Sequence, residues 1–403
     1  EPGYEAMFTE KIKQAVTIPV ILAGNINSPE LAERLLSEGK CDVIGMARGL
    51  IAEPHFVKKT MKGQEEDIRP CIHCMQGCLA RSFLRGVGGI RCYVNPTAGE
   101  EMDWGSWTEV KASQAKKVLI IGAGASGMEC ARVLAERGHK PVIYEKGDAV
   151  GGQIRIWARE PGSNEVLDIV EWMSVQLDKM KVPINLNSAI TEANIEEIIA
   201  KEKPDEIVIA TGSDVDKTGV TAATTIPIPG WDKPHVFTYE DIYSPEGFDF
   251  NELGEKVLVA DIMNDRKPMR ALEVLLKEGK DVTYITIGSE PSSAYLGVEA
   301  GITKRNLTAV GGPDRWNPKK ILVETWIGAI TDKGALLFYI FAPEHAWEEE
   351  FDSIVLIPNR RQNNKLYEIL REKGLHPKII GDAVSPRSLM HATHDGYKLA
   401  RAL

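Results

Sequence analysis

The chain has 403 residues, 43% of them apolar and 26% charged, with a formal net charge of −10. This is enough chain for two or three domains and a substantial core, and the acidic balance argues against a nucleic-acid partner, which needs a basic face. No apolar run reaches membrane-spanning length, no signal peptide opens the sequence, and six cysteines in so long a chain do not make a disulfide scaffold, so the reading is a cytoplasmic protein with reduced thiols.

The first elements alternate. "IPVILAGN" (Ile18–Asn25) is a short apolar run ending in small residues, and "NSPELAERLLSEGK" follows it. Asn27 or Ser28 can cap a helix there, Pro29 suits its first turn and Gly39 its end. A second run, "CDVIGMARGL", leads into the helix-like "AEPHFVKKTMKG". This βαβα rhythm belongs to a parallel sheet with helical cover. Gly24 and Asn25 leave backbone N–H groups accessible at the first strand end, and Arg48 follows Ala47 at the second. A phosphate held by the last two βα loops is the arrangement of a (β/α)8 barrel; the plain alternative is a turn glycine and a surface arginine. Two βα units cannot close a barrel, so the chain is expected to be the C-terminal part of a longer polypeptide or one subunit of a split enzyme.

Next comes "CIHCMQGCLARSFLRGVGGIRC", which holds four of the six cysteines in twenty-two residues. Cys71, Cys74, Cys78 and Cys92 are spaced C-x2-C-x3-C-x13-C. Three close thiolates can wrap one face of a metal centre and the fourth can close it from a longer loop. Four thiolates suit zinc or an iron–sulfur cluster. The lack of a second CxxC favours iron–sulfur over zinc knuckles and over four unligated core cysteines. His73, between two of them, reads as an outer-shell or surface residue.

After the polar connection "TAGEEMDWGSWTEVKASQA", the strand Val118–Ile121 runs into Gly122-x-Gly124-x-x-Gly127, a helix over about 126–137, and the strand Pro141–Tyr144 ending at Glu145. The acid stands eighteen residues past the last glycine, which completes a dinucleotide fingerprint. The glycines admit a pyrophosphate, the helix N-terminus offers N–H donors, and Glu145 can accept from ribose hydroxyls. "PDEIVIATGSD" reads as another buried strand. Near the C-terminus a strand, Gly381-Asp382 and a helix follow, and Asp382 can bond a ribityl or ribose hydroxyl or cap its loop. Between these, strand Val257–Val259, helix Pro268–Lys277 and strand Val282–Ile285 repeat the first unit without its glycines. Asp261-Ile262-Met263-Asn264-Asp265 stands where a second fingerprint would lie, and its two carboxylates would face an incoming pyrophosphate. Ser244–Phe250 and Val310–Pro318 read as loops.

The order of these features resembles the C-terminal two-thirds of the iron–sulfur flavoenzymes related to 2,4-dienoyl-CoA reductase and trimethylamine dehydrogenase. "DIRPCIHCMQGC" and "NPTAGEE" look like the cluster motif, while "IPVILAGN" and "DVIGMARGLIAEPHF" look like the last two strands of an Old Yellow Enzyme-like barrel. The resemblance implies an α/β fold: the end of a (β/α)8 barrel over 1–66, a cluster segment and linker over 67–112, and two Rossmann-like domains of disulfide-reductase type. The first of these would bind FAD or ADP over 113–228 and 346–403, and the second, with a degenerate NAD(P) fingerprint, would cover 229–345. It implies a 4Fe–4S cluster on Cys71, Cys74, Cys78 and Cys92, FMN phosphate on Gly24, Asn25, Ala47 and Arg48, and an adenine dinucleotide at Gly122, Gly124, Gly127 and Glu145 with Gly152 and Asp382 nearby.

The family's catalytic residues lie upstream of Glu1. The spacing to the fourth cysteine is long for the reductase branch, and the missing second fingerprint resembles the amine dehydrogenase branch. The expected activity is therefore an FMN- and 4Fe–4S-dependent oxidoreductase of small molecules, amine dehydrogenase- or demethylase-like. It would have an electron-transfer flavoprotein or similar carrier as partner and form a homo-oligomer. An enoyl-CoA or enoate reductase using NAD(P)H, a non-catalytic electron-transfer subunit and a zinc-stabilised nucleotide-binding protein stand as alternatives.

Overall fold

The computed structural model describes residues 2–82, 89–104, 110–221, 224–292, 301, 305 and 321–403; the expected loop at 310–318 lies outside them. Contacts divide the chain into two units. Glu1–Val150, Val166–Val208 and Ser388–Leu403 form the first, and Gly151–Glu165 with Ile209–Arg387 form the second.

The first unit opens with α1 (Ala6–Ala15), β1 (Ile21–Ala23), α2 (Pro29–Ser37), β2 (Val43–Gly45), α3 (Arg48–Ala52) and α4 (Phe56–Thr60). Ser28 caps α2 by accepting the Leu31 N–H, with Pro29 in the first turn; this satisfies one of the helix's orphan donors. β1 and β2 pair in parallel, Ala23 opposite Gly45, so both strands end on the same edge. Leu22 packs against Leu31, Leu35 and Cys41, while Ile18, Ile21 and Val43 are exposed. The helix-like stretch 52–63 is helical over α4, and α3 forms earlier, at the end of the second run; Pro54 lies between the two and cannot donate to a helix ladder.

The cysteine segment contains a π-helical turn at Gln76–Ala80 and the one-turn helix α5 (Glu101–Trp104). Then come β3 (Lys117–Ile121), α6 (Ala125–Glu136), β4 (Lys140–Tyr144), α7 (Gln153–Trp157), α8 (Asp168–Lys179), β5 (Ile184–Asn185), α9 (Ile195–Glu202) and β6 (Glu206–Ile209). In the first unit the strands lie in the order β6-β3-β4-β5, with β3–β4 and β4–β5 parallel. Val118–Ile120 are fully buried, as a strand covered on both faces requires.

The second unit contains β7 (Ser213–Val215), β8 (Val236–Thr238), α10 (Tyr239–Ile242), β9 (Lys256–Asp261), α11 (Lys267–Lys277), β10 (Asp281–Thr286), β11 (Ile321–Leu322), β12 (Thr325–Ile330), β13 (Gly334–Tyr339), β14 (Ala342–Glu350), β15 (Ser353–Ile357), β16 (Arg360–Gln362), α12 (Lys365–Glu372) and β17 (Lys378–Ile379). One sheet runs β11-β10-β9-β15-β8 and β12-β13-β14 form a separate meander. β9 is buried on both faces. Val257 and Val259 pack with Met269, Leu272 and Leu275 of α11, and Leu258 and Ala260 pack with Trp326, Ile327 and Leu337 of the meander. The chain ends in α13 (Leu389–Ala402), which returns to the first unit. There Gly396 lies so close to the Ser126 carbonyl that a Cβ would collide with it, so α13 and α6 pack at backbone distance.

Candidate functional site

The parallel register of β1 and β2 brings the four expected phosphate residues to one edge. Asn25 takes a left-handed φ of 54°, Ala47 precedes α3, and half-buried Arg48 opens it. Arg48 lies within electrostatic reach of the Cys71 thiol and favours its charged form. The loop after β1 also meets the cysteine segment, where Asn27 Nδ2 lies 3.1 Å from His73 Nε2; an amide N–H there makes the ring nitrogen the acceptor.

The cysteine segment is wound by two non-glycine residues with left-handed φ, His73 and Met75, both at 53°. Such residues are costly and persist where surrounding contacts fix them. The His73 N–H favours the charged form of Cys71, and the Gln76 N–H that of Cys74. The N–H groups of Val94 and Asn95 favour the charged form of Cys92. Arg91 N–H donates to the Gly77 carbonyl at 2.9 Å, which draws the Cys78 and Cys92 stretches together, and the Cys74 thiol responds to the charges of Cys71, Cys78 and Cys92.

Burial pushes the Cys71 thiol up to about 11 and raises Cys74 and Cys92 as well. Buried thiols without a cation stay protonated, whereas a coordinating metal removes the proton outright. Among the described residues no three His, Cys, Asp or Glu side chains are grouped to hold a single ion. An iron–sulfur cluster takes its four thiolates on separate irons, so its ligands need not converge on one point. Four cysteines gathered in one segment, three of them beside backbone N–H groups that favour the charged sulfur, fit that donor set.

A buried ionic network behind the cysteines was not evident from sequence. Arg69, 6% exposed, donates to the Val94 carbonyl at 2.9 Å, lies 3.9 Å from Glu129 and stacks 4.5 Å from the Trp172 ring. Arg132 binds Glu129 through both Nε (2.9 Å) and Nη2 (2.7 Å), and reaches Glu136 at 2.6 Å. Burial raises the Glu129 carboxyl, but Arg132 and Arg69 more than offset it and hold it below the usual range. The i, i+3, i+4 spacing of Glu129, Arg132 and Glu136 was the available signal, and it reads equally as a solvated helix face.

The first fingerprint forms as expected, with α6 starting one residue earlier at Ala125. Gly122 turns at φ 110°, Gly127 is buried, and a Cβ on Gly124 would meet nothing within 4 Å, so the approach to the helix N-terminus is open. Glu145 ends β4; its Oε2 accepts the Ala123 N–H at 2.7 Å and its Oε1 the Gly147 N–H at 2.8 Å. Gly152 and Asp382 belong to the second unit. Gly152, at φ 51°, precedes α7, and Gln153 Nε2 donates to Asp382 Oδ2 at 3.0 Å. Ser213 Oγ and the Arg387 N–H also bond that carboxylate, at 3.1 and 3.0 Å.

The loop after β9 corrects one expectation. Asp261 does not face outward: it is fully buried, accepting the Tyr284 hydroxyl at 2.6 Å and the Asn264 N–H at 2.9 Å. Burial pushes its carboxyl up to about 7, against those two bonds. Asp265 is half-buried and accepts the Lys267 N–H at 2.9 Å, occupying a donor at the start of α11. Asn264 supplies the left-handed turn at φ 53°.

Residues 1–67 match the NADH:flavin oxidoreductase / NADH oxidase family model, and residues 120–170 match the NAD(P)-binding Rossmann-like domain model. A stretch similar to a flavin-oxidoreductase domain thus precedes a dinucleotide-binding fold. In this order of parts the chain is similar to the family of 2,4-dienoyl-CoA reductase and trimethylamine dehydrogenase.

It is 34% identical over 422 residues to a metal reductase of Desulforamulus reducens, covering 99% of this chain and 60% of that protein. It is 31% identical over 444 residues to dimethylamine dehydrogenase of Hyphomicrobium sp. (strain x), covering 100% of this chain and 57% of that one. The solved 2-naphthoyl-CoA reductase complex superposes with a TM-score of 0.84 at 29% identity over 100% of this chain and 57% of that chain. The chain thus spans 60% or less of the length of these relatives. No helix among the described residues is long and apolar enough to cross a membrane.

Proposed function

We propose that this chain is the cluster- and nucleotide-bearing part of an FMN- and 4Fe–4S-dependent oxidoreductase that exchanges electrons between a small organic substrate and an outside protein carrier. Flavin supplies the hydride chemistry when bound, and the protein supplies orientation and electrostatics. Gly24, Asn25, Ala47 and Arg48 would hold the FMN phosphate, with backbone N–H groups and one guanidinium. Cys71, Cys74, Cys78 and Cys92 would hold the cluster. Gly122, Gly124, Gly127 and Glu145 would bind FAD or ADP. The corresponding division is 1–66, 67–112, 113–228 with 346–403, and 229–345.

The observation that carries this reading is the gathering of the four cysteines, with the Cys78 and Cys92 stretches joined by the Arg91 N–H on the Gly77 carbonyl at 2.9 Å and backbone N–H groups that favour the charged forms of Cys71, Cys74 and Cys92. Such donors favour the thiolate form a cluster requires. A protein carrier, such as an electron-transfer flavoprotein, is favoured over a nicotinamide because the loop after β9 fills its own phosphate position with Asp265. The amine dehydrogenase among the relatives supports an amine substrate. A C=C reductase is the second reading, favoured by the likeness to 2-naphthoyl-CoA reductase.

Cofactor extraction from anaerobically purified full-length protein tests the proposal. The expected yield is FMN, an adenine nucleotide, iron and sulfide, with iron lost in Cys71→Ala. Stoichiometric zinc without iron would overturn it.

A further inference from the structure

Between Cys92 and Asn95, three consecutive backbone carbonyls are each caught by a side chain from elsewhere in the first unit. His394 Nε2 donates to Cys92 O at 3.2 Å, Thr393 Oγ1 donates to Tyr93 O at 2.8 Å, and Arg69 Nη1 donates to Val94 O at 2.9 Å. The segment has no cis peptide, and a trans peptide points its C=O and its N–H in opposite directions. Drawing Tyr93 O toward Thr393 therefore turns the Val94 N–H the other way. Drawing Val94 O toward Arg69 does the same to the Asn95 N–H. Those two N–H groups lie beside the Cys92 thiol, and both favour its charged form.

We propose that Thr393 and Arg69 are positioning residues that aim two backbone N–H groups at the Cys92 sulfur and thereby raise the reduction potential of the cluster held there. This rests on the cluster reading above. Reduction adds negative charge to the cluster and its thiolates, and hydrogen bonds to the sulfurs stabilise that charge.

Both residues are fixed for the task. Thr393 is 0% exposed, so its hydroxyl cannot exchange this bond for water. Its one proton has three carbonyls in reach. Tyr93 O at 2.8 Å is nearer than Leu389 O at 3.2 Å or Met390 O at 3.1 Å, so the loop takes the proton and the helix's own carbonyls do not. Arg69 is clamped between Glu129 and the Trp172 ring. The residues that orient Cys92 thus come from two sequence-distant places, one just before Cys71 and one three hundred residues beyond it.

The test uses full-length holoprotein. Thr393→Val keeps the shape and β-branching of threonine and loses the hydroxyl, whereas Thr393→Ser keeps the donor. Iron and sulfide content are measured first, then the midpoint potential of the cluster by redox titration followed by electron paramagnetic resonance. The expected T393V protein carries full iron and a lower potential. The reduction equilibrium should fall severalfold and up to about tenfold, which is ~59 mV for a one-electron couple. T393S should return to the wild-type value, a rescue that a merely space-filling role would not produce.

Full iron with an unchanged T393V potential overturns the proposal while leaving the cluster reading intact. Iron-free wild-type protein overturns both. If T393V fails to retain iron, Arg69→Lys decides. It keeps the positive charge beside Glu129 but replaces the rigid fork with a flexible point donor, and its potential should also fall; an unchanged value in R69K is equally fatal.

Discussion

The two nucleotide-like units are built from the same strand–helix–strand pattern and differ in the loop that follows the first strand. After β3 the loop is small and empty. Gly122 makes the turn, Gly124 leaves open space above the start of α6, and Glu145 waits at the next strand end. After β9 the loop is filled by its own side chains. Asn264 makes the turn, Asp265 takes a helix-start N–H, and Asp261 is folded inward onto Tyr284. A fold that must bind pyrophosphate leaves the donors at its helix start unspent, and a fold that need only be stable spends them on itself. The family resemblance alone would not distinguish these cases; the hydrogen-bond partners do.

The largest expected effect lies in the filled loop and concerns stability. Asp261 has a folded value of about 7 against an ordinary 3.8, so the folded protein keeps a proton that the unfolded chain releases between those limits. The contribution of this group should be fully present below pH 4 and be lost as pH rises toward 7, by at most about 4 kcal/mol. Asp261→Asn mimics the neutral acid: its carbonyl accepts from Asn264 and its amide donates to the tyrosine oxygen. Denaturant unfolding across that range should show a flatter profile for D261N than for wild type. Parallel profiles would mean that Asp261 is charged and that the inward loop carries no such linkage.

The open loop answers to a different substitution. Gly124 has an extended backbone, φ −75° and ψ −179°, which any residue adopts, and a Cβ there meets no protein atom. Gly124→Val should therefore fold normally and lose adenine nucleotide by roughly a hundredfold, about 2.7 kcal/mol, the scale of one or two charge-assisted hydrogen bonds. Retained nucleotide, read by chromatography of the denatured protein, would place the binding site elsewhere. Glu145→Gln should have a smaller effect. The amide cannot accept from both Ala123 and Gly147, and its ribose contact loses charge assistance, so affinity should drop by about tenfold, measured by calorimetry on nucleotide-stripped protein.

The same contrast marks what the sequence could disclose. The first fingerprint and the cysteine group were legible because glycine and cysteine are scarce and their chemistry depends on short spacing. The inward turn of Asp261 was not, because β9 is buried on both faces and its residues carry no alternation to say which way each points. The Arg69–Glu129–Arg132 network was hidden for a related reason: charges at helical spacing look solvated until Trp172 and the cysteine segment are seen to cover them. Thr393 and His394 reach the Cys92 loop across about three hundred residues, a contact no local pattern encodes. The break between α3 and α4 was available in principle, since Pro54 stands between them.

The central claim is that electrons do not pass through a nicotinamide bound at the second unit. Anaerobic stopped-flow mixing of the full-length protein with NADH, and separately with NADPH, tests it most directly, with flavin absorbance as the signal. The expected result is slow or absent bleaching with either cofactor, alongside fast exchange with an electron-transfer flavoprotein. Fast bleaching that saturates at roughly 1 μM–1 mM cofactor, the range of ordinary KM values, would contradict it and make the nicotinamide-dependent reductase the better account.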